Sequence, residues 1–488
     1  MSLLSSLGDR FKVEFAGSAF ATVAGTLLVF VLARLLEPSG YGLLFLAISV
    51  FSVAKIFSNL GIARSAARYV TEYRETDPAQ IPHILLRSLG FNVATISVVA
   101  VVFFVANRPI AAVIEGPALQ SFLFFGTLYI VFSSLALYAR HVAQGFEDIA
   151  LAATISVVNQ ATRLVSAVGL VLLGYGALGA LGGFILGSML ASVVGLGALY
   201  TRHYRGAERA DRMEPGLSRQ ILEYNVPLTI TGVTGKIDKN VDTILIGFFL
   251  TPVAVSYYVL SKQILQATMM PARSLGFSIS PTYGKQKASQ QLDTAARMFE
   301  TSLSYALLLY VPAATGIFFV ASPAVELVFG TEYAGAVPVL QVLSVYAILN
   351  AITVLTDQPL DYLGRARERA IAKSAASGSN VLLNVLLIPL VGVVGAAVAT
   401  VITHSFYVSV KLYLIHSELP LRTRDILLNT SYVITITLSL GVVLYVSVPY
   451  VSGIVSLVGV ILLAVATWAV LSVLTGIMDY DMIKRAIA

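Results

Sequence analysis

The sequence predicts an all-α integral membrane protein with about fourteen spanning helices. Three observations carry this reading. The chain is 57% hydrophobic and only 12% charged, against about 25% charged in an ordinary soluble domain. Its mean hydropathy is +0.83. Long apolar runs recur along it, each near the roughly 20 residues that cross a bilayer core.

The expected spans, with boundaries good to about 2–4 residues, begin at 14–36 and 41–60. A polar segment follows, from Gly61 to Arg87 at its widest. Spans at 84–106, 119–140, 148–173 and 177–200 precede a basic loop at 201–220. The second half reads 222–248, 253–274, 298–320, 336–356, 368–390 and 392–415, and two helices at 426–447 and 452–475 close the chain. The run from Phe15 to Leu36 exceeds the 7–15 residues of a signal-peptide core, so it reads as a retained span. Tight breaks at Gly174–Gly176 and Pro389–Gly392 predict helical hairpins.

Basic residues set the expected orientation. With the N-terminus inside, the inner segments hold 25 Lys and Arg, from Arg10 and Lys12 to Lys484 and Arg485; the outer ones hold Arg34 and Arg108. This is a strong positive-inside bias. It predicts a multi-pass plasma-membrane protein with both termini cytoplasmic. The net charge of +6 is then a topology signal and implies no nucleic-acid partner.

An internal repeat refines the architecture. "LLEPSGYG" at Leu35–Gly42 resembles "FLTPVAVSYY" at Phe249–Tyr258, and "GALGA" at Gly176–Ala180 resembles "GVVGA" at Gly392–Ala396. The two landmarks recur at nearly one offset, which suggests duplication of a six-helix unit. Six is even, so the copies run parallel about an axis along the membrane normal, as in transporters. The expected organisation is a lobe at 1–200, a linker at 201–220, a second lobe at 221–415, and a terminal pair with a tail at 416–488.

Five cations fall inside expected spans: Lys55, Arg163, Lys236, Lys239 and Lys262. A Lys or Arg at the bilayer centre costs roughly 2.5–3.5 kcal/mol on insertion scales. Such residues face a protein interior or water. They form a candidate site for an anionic group such as phosphate, to which lysine offers a point charge. Asp238 and Asp242 share a face of the seventh span, and Lys239 is three residues before Asp242. Those acids are candidates either for Na⁺ or H⁺ coupling or for salt bridges. Arg163, after Asn159 and Gln160, either lines the same cavity or bonds neighbouring carbonyls. Asp357 and Asp361, beside Arg365 and Arg367, read as a solvated, paired surface.

Other chemistry is not encoded. There is no cysteine, and the five histidines are scattered without ligand spacing, so no metal or cofactor is expected. "TGKID" at Thr234–Asp238 lacks the first glycine and following Ser/Thr of a P-loop. Glu37, Glu115, Glu326 and Glu332 form no obvious outer acidic set, which argues against a membrane glycosyltransferase.

Three stretches resemble a known family: "LARLLEPSGYGLLFLAISVF" (Leu32–Phe51) with "LGIARSAARYVTEYRE" (Leu60–Glu75), "KNVDTILIGFFLTPVAVSYYVLSKQI" (Lys239–Ile264) and "VELVFGTEYAGAVPVLQVLSVY" (Val325–Tyr346). They are similar to Wzx-like polysaccharide exporters, the oligosaccharide flippases of the multidrug/oligosaccharidyl-lipid/polysaccharide exporter superfamily. The resemblance covers nearly the whole chain. It implies two lobes around a central cavity, alternating access, a polyprenyl-linked saccharide as substrate, and a terminal helix pair guiding the lipid tail. It places Lys55, Lys236, Lys239 and Lys262 on cavity-lining helices. It further implies a monomer among membrane lipids, serving glycosyltransferases or a polymerase of its pathway. A lipid II-type flippase and a cation-coupled multidrug exporter of the same superfamily are the alternatives.

Overall fold

Apolar runs become helices here because a backbone in lipid must satisfy its own hydrogen bonds. The computed structural model describes residues 3–114, 117–274, 276, 283, 285–286, 289 and 291–477, with side chains described except at 3–16, 18, 117 and 226–238. Fourteen α-helices carry nearly all of these residues. They are α1 (Leu3–Asn59), α2 (Ile62–Thr76), α3 (Ile81–Ile114), α4 (Pro117–Gly145), α5 (Ile149–Leu170), α6 (Gly176–Leu199) and α7 (Leu217–Phe249). Then follow α8 (Pro252–Thr268), α9 (Leu292–Phe329), α10 (Ala336–Tyr362), α11 (Ala366–Val391), α12 (Val393–Glu418), α13 (Thr423–Ser447) and α14 (Ile454–Leu474).

Among the described residues, ten helical segments are long and apolar enough to cross a membrane. Two of them hold two crossings each. In α1 the helix breaks at Glu37 (φ 55°, ψ 169°), ahead of Pro38, which has no N–H to continue the ladder. Between α5 and α6 the break falls at Gly174 and Gly176, with φ of 90° and 54°, conformations that glycine alone enters without strain. These twelve crossings, with α7 and α8, make the expected fourteen. The polar segment from Gly61 resolves into α2 and the first turns of α3, which begins at Ile81 and not near 84.

The chain divides into two compact units, residues 1–256 and 257–488. In the first, the amphipathic α2 buries Ala63, Ala66, Tyr69, Val70 and Tyr73 against Leu85, Tyr138, Val142 and Ile155. Leu217 and Ile221 of α7 join the same core. Packing therefore carries α7 into the first unit, although the repeat counts it as the opening helix of the second lobe. In the second unit, Phe299 and Leu303 of α9 pack with Leu360 of α10 and Val408 and Ile415 of α12. The pair α13–α14 sits on α9, where Leu440, Leu444 and Leu457 meet Val320 and the Trp468 indole donates to the Leu308 carbonyl at 2.8 Å.

Asp148 caps α5. Its carboxylate accepts from the Leu151 amide at 3.0 Å and pairs with Arg202 at 3.1 Å and with His203 at 3.5 Å. Burial alone would raise its pKa. The amide bond, the Arg202 guanidinium and the His203 side chain outweigh that and hold it below the ordinary carboxylate value. A depressed folded-state pKa contributes stability above the unfolded pKa of about 4 and loses it as pH falls. In Asp148→Asn, which keeps an N-cap acceptor, we expect a lower melting temperature than the wild type at pH 7. The gap should close as pH drops below about 4. A pH-independent gap would show that the charge contributes nothing.

Candidate functional site

Charged side chains on apolar helices mark the candidate sites, and each unit carries its own. In the first unit, the second half of α1 presents Lys55 to the Tyr129 ring of α4, with Nζ 4.8 Å from the centroid. Tyr129 meets Phe184 of α6 edge-on at 6.2 Å. Arg163 of α5 lies over Phe184, with Cζ 4.6 Å from the centroid. Two cations are thus joined through two aromatic rings, whose faces attract them.

The surrounding polar groups hold this arrangement. Lys55 sits one turn before a buried contact between Ser58 and Ser134, whose hydroxyls are 2.8 Å apart. The Asn59 amide donates to the Lys55 carbonyl at 2.8 Å. The Arg163 guanidinium donates to Gln160, which in turn donates to the Ala21 carbonyl at 3.0 Å. The buried Nε of Arg163 makes no hydrogen bond among the described residues. Both sequence alternatives for Arg163 asked what it faces; the structure shows a ring, an amide and an unused donor.

The remaining predicted residues are placed as follows. Lys239 of α7 is exposed, whereas Asp242, three residues on, is 2% exposed. The side chains of Lys236 and Asp238 lie outside the described residues. Lys262 belongs to the second unit, with Nζ 4.8 Å from the Tyr258 ring. The Tyr258 hydroxyl is 3.1 Å from that of Thr400.

The second unit holds a charge the sequence reading passed over. Lys411 lies inside the expected span 392–415, near its cytoplasmic end, and belongs to the 25 cations of the basic side. It is 0% exposed. Its ammonium donates to Asp357 at 2.7 Å and to the Thr353 carbonyl at 2.8 Å, and lies 4.7 Å from the Tyr407 ring. Arg369 of α11 bridges Asp357 at 3.3 Å and Asp361 at 2.8 Å. The partners of these acids are therefore Lys411 and Arg369. Arg365, which sequence proximity suggested, pairs with Glu368 and Glu418, both at 2.7 Å. The helix face decides: α10 turns its last turns towards α11 and α12. The available signal was the run of residues from Leu412 to Ile415, which carries α12 past Lys411.

The second unit also contains an apolar cavity of about 430 Å³ between α9, α10, α13 and α14. Pro312, Gly316, Leu340, Leu444, Val465 and Trp468 are among its walls.

The sequence pattern of the polysaccharide biosynthesis protein family matches residues 15–284, more than half of the chain. Among curated proteins, the chain is 23% identical over 381 residues to the probable low-salt glycan biosynthesis flippase Agl15 of Haloferax volcanii. The match covers 78% of this chain and 77% of that protein. Among solved structures, it is similar to the lipid II flippase MurJ in an inward closed conformation, with a TM-score of 0.76 at 16% identity over 95% of this chain and 98% of that one. An inward-facing multidrug resistance MATE family transporter of the MOP superfamily gives a TM-score of 0.69 at 13% identity, over 81% and 94%. At these identities the structural likenesses establish the fold.

Proposed function

Because this chain belongs to the polysaccharide biosynthesis protein family, we propose that it is a flippase for a polyprenyl phosphate- or diphosphate-linked oligosaccharide. It moves this lipid from the cytoplasmic to the outer leaflet by alternating access, for surface polysaccharide or glycoprotein glycan assembly. It is a transporter and not an enzyme, it works in the plasma membrane, and its basic side with both termini faces the cytoplasm.

One observation carries the reading: Lys55 and Arg163 converge around Tyr129 and Phe184, and the buried Arg163 Nε has no hydrogen-bond partner among the described residues. Cations in a low-dielectric setting attract phosphate, and arginine offers it a planar fork of donors. Aromatic faces beside them suit the apolar faces of sugar rings. Lys236, Lys239 and Lys262 are further candidates for contact with the phosphate, and Asp238 and Asp242 are candidates for Na⁺ or H⁺ coupling. The apolar cavity beside α13–α14 suits a segment of polyprenyl chain, and the similarity to Agl15, a probable low-salt glycan biosynthesis flippase, supports the same reading. A drug exporter taking cationic substrates would want an acidic or neutral pocket; Lys55 and Arg163 oppose that.

Charge-assisted hydrogen bonds contribute about 1.5–3 kcal/mol each. The Lys55→Ala/Arg163→Ala variant should therefore translocate labelled lipid-linked oligosaccharide in proteoliposomes at least about tenfold more slowly at subsaturating substrate. Undiminished translocation at equal protein content would remove these residues from the site.

A further inference from the structure

A second basic pocket lies at one end of α3, away from the cluster just described. Helical spacing puts His83, Arg87, Gly90 and Phe91 on one face of α3. The segment after α6 crosses this face and contributes Arg209 and Arg212. Together they line a cavity of about 430 Å³, within the range of small-ligand sites. Asp211 is the single acid in the lining, so three arginines leave the pocket net positive.

The crossing segment is held in place. The Ala210 amide donates to the Ala79 carbonyl at 3.0 Å, and His83 Nε2 donates to the Ala210 carbonyl at 2.8 Å. Gln80, 6% exposed, donates to the Arg212 carbonyl and accepts from the Glu214 amide, both at 3.1 Å. The Tyr73 hydroxyl donates to the Glu214 carboxylate at 2.6 Å. Arg209 and Arg212 are themselves exposed. Their backbone is fixed while their side chains reach into solvent.

Two features select that ligand. First, α3 is 34 residues long, about 50 Å at 1.5 Å per residue, well beyond a hydrocarbon core of about 30 Å. Its first turns therefore stand in the headgroup layer. Second, the same helix presents exposed apolar side chains beyond the pocket, with Val98, Val101 and Val105 on the face that carries His83, Arg87 and Gly90. Leu86, Val93, Val98, Val101 and Val105 are 50%, 45%, 64%, 62% and 71% exposed. A positive pocket at headgroup depth, continuous with a lipid-facing apolar face, matches an anionic phospholipid at both of its ends.

We propose that this pocket holds the phosphate of an anionic phospholipid between Arg87, Arg209 and Arg212, with the acyl chains lying along α3. This lipid is a bound partner of the protein, and its site is independent of the transported substrate. Gly90 leaves room for it: a Cβ there would meet nothing within 4 Å, so a larger side chain would occupy the pocket without disturbing the helix.

The test is native mass spectrometry of the full-length protein in detergent, titrated with phosphatidylglycerol and with phosphatidylcholine. Wild type should retain phosphatidylglycerol preferentially. Arg209→Ala/Arg212→Ala should bind it about 25-fold more weakly, at roughly a fivefold loss per arginine. Gly90→Leu should lose it with an unchanged melting temperature. Arg219→Ala, which removes an exposed arginine paired with Glu223 outside the pocket, should bind as wild type. Equal retention of both lipids, equal loss in Arg219→Ala, or full retention in Gly90→Leu would overturn the proposal. So would displacement of phosphatidylglycerol by an equal concentration of inorganic phosphate, which would make the pocket a free-phosphate site.

Discussion

Replacing Asp357 with alanine should destabilise the protein far more than replacing its partner Lys411 with methionine. Removing the acid leaves an ammonium that is 0% exposed with the Thr353 carbonyl and the Tyr407 ring. Breaking a buried pair in this way costs about 3–5 kcal/mol. Asp357 keeps 32% side-chain exposure, so the lower end, about 3 kcal/mol, is expected. Methionine at 411 instead removes the buried charge and refills its volume, a change commonly near neutral. It leaves Asp357 partly hydrated and still bridged by Arg369. Thermal unfolding of purified protein measures both. Lys411→Met placed in the Asp357→Ala background should recover most of the lost stability. If Lys411→Met is the more damaging single change, or the double variant recovers nothing, the cluster is held by something other than this pair.

Gly183→Val should abolish recoverable folded protein. A Cβ at this position would lie 2.3 Å from the Ala167 amide nitrogen and 2.4 Å from its Cα. Both are backbone atoms of α5, so the two helices must part. Overpacking of this kind costs about 1–3 kcal/mol for a methylene or two, and a branched side chain against backbone stands at or above that range. Gly197, on the same helix, has nothing within 4 Å of its would-be Cβ and is exposed. Gly197→Ala should be neutral or stabilising by up to about 1 kcal/mol, the helix-propensity difference. Size-exclusion recovery from membranes compares the two. Equal behaviour would show that α5 and α6 do not approach through Gly183. The contact also bears on function. At Gly187 a Cβ would come 2.9 Å from Arg163 Cβ, so small residues on α6 are what bring Arg163 over Phe184.

The expected spans and the observed helices agree closely because one physical requirement governs both. An apolar run in lipid has no alternative to internal hydrogen bonding. Pro38, Gly174, Gly176 and Gly392 mark the breaks in sequence as they do in space, since local φ constraints act without reference to neighbours. The amphipathic α2 was visible only as a polar gap, because its buried face alternates with exposed charges such as Arg68 and Glu72.

The candidate site was legible only in part. Composition and periodicity by themselves determined a multi-helix membrane protein, its breaks, and a short roster of charges that lipid should exclude. They could not say which helices face one another. Tertiary structure alone decided that Lys55 and Arg163 meet through Tyr129 and Phe184, and that Asp357 turns to Lys411 and Arg369 and not to Arg365. It also decided that α7 packs with the first unit. The reason is the same in each case. Span position follows from one helix and its solvent, whereas a side chain's partner depends on the rotation of two helices about their axes. Between α5 and α6, the close approach at Gly183 and Gly187 sets that rotation.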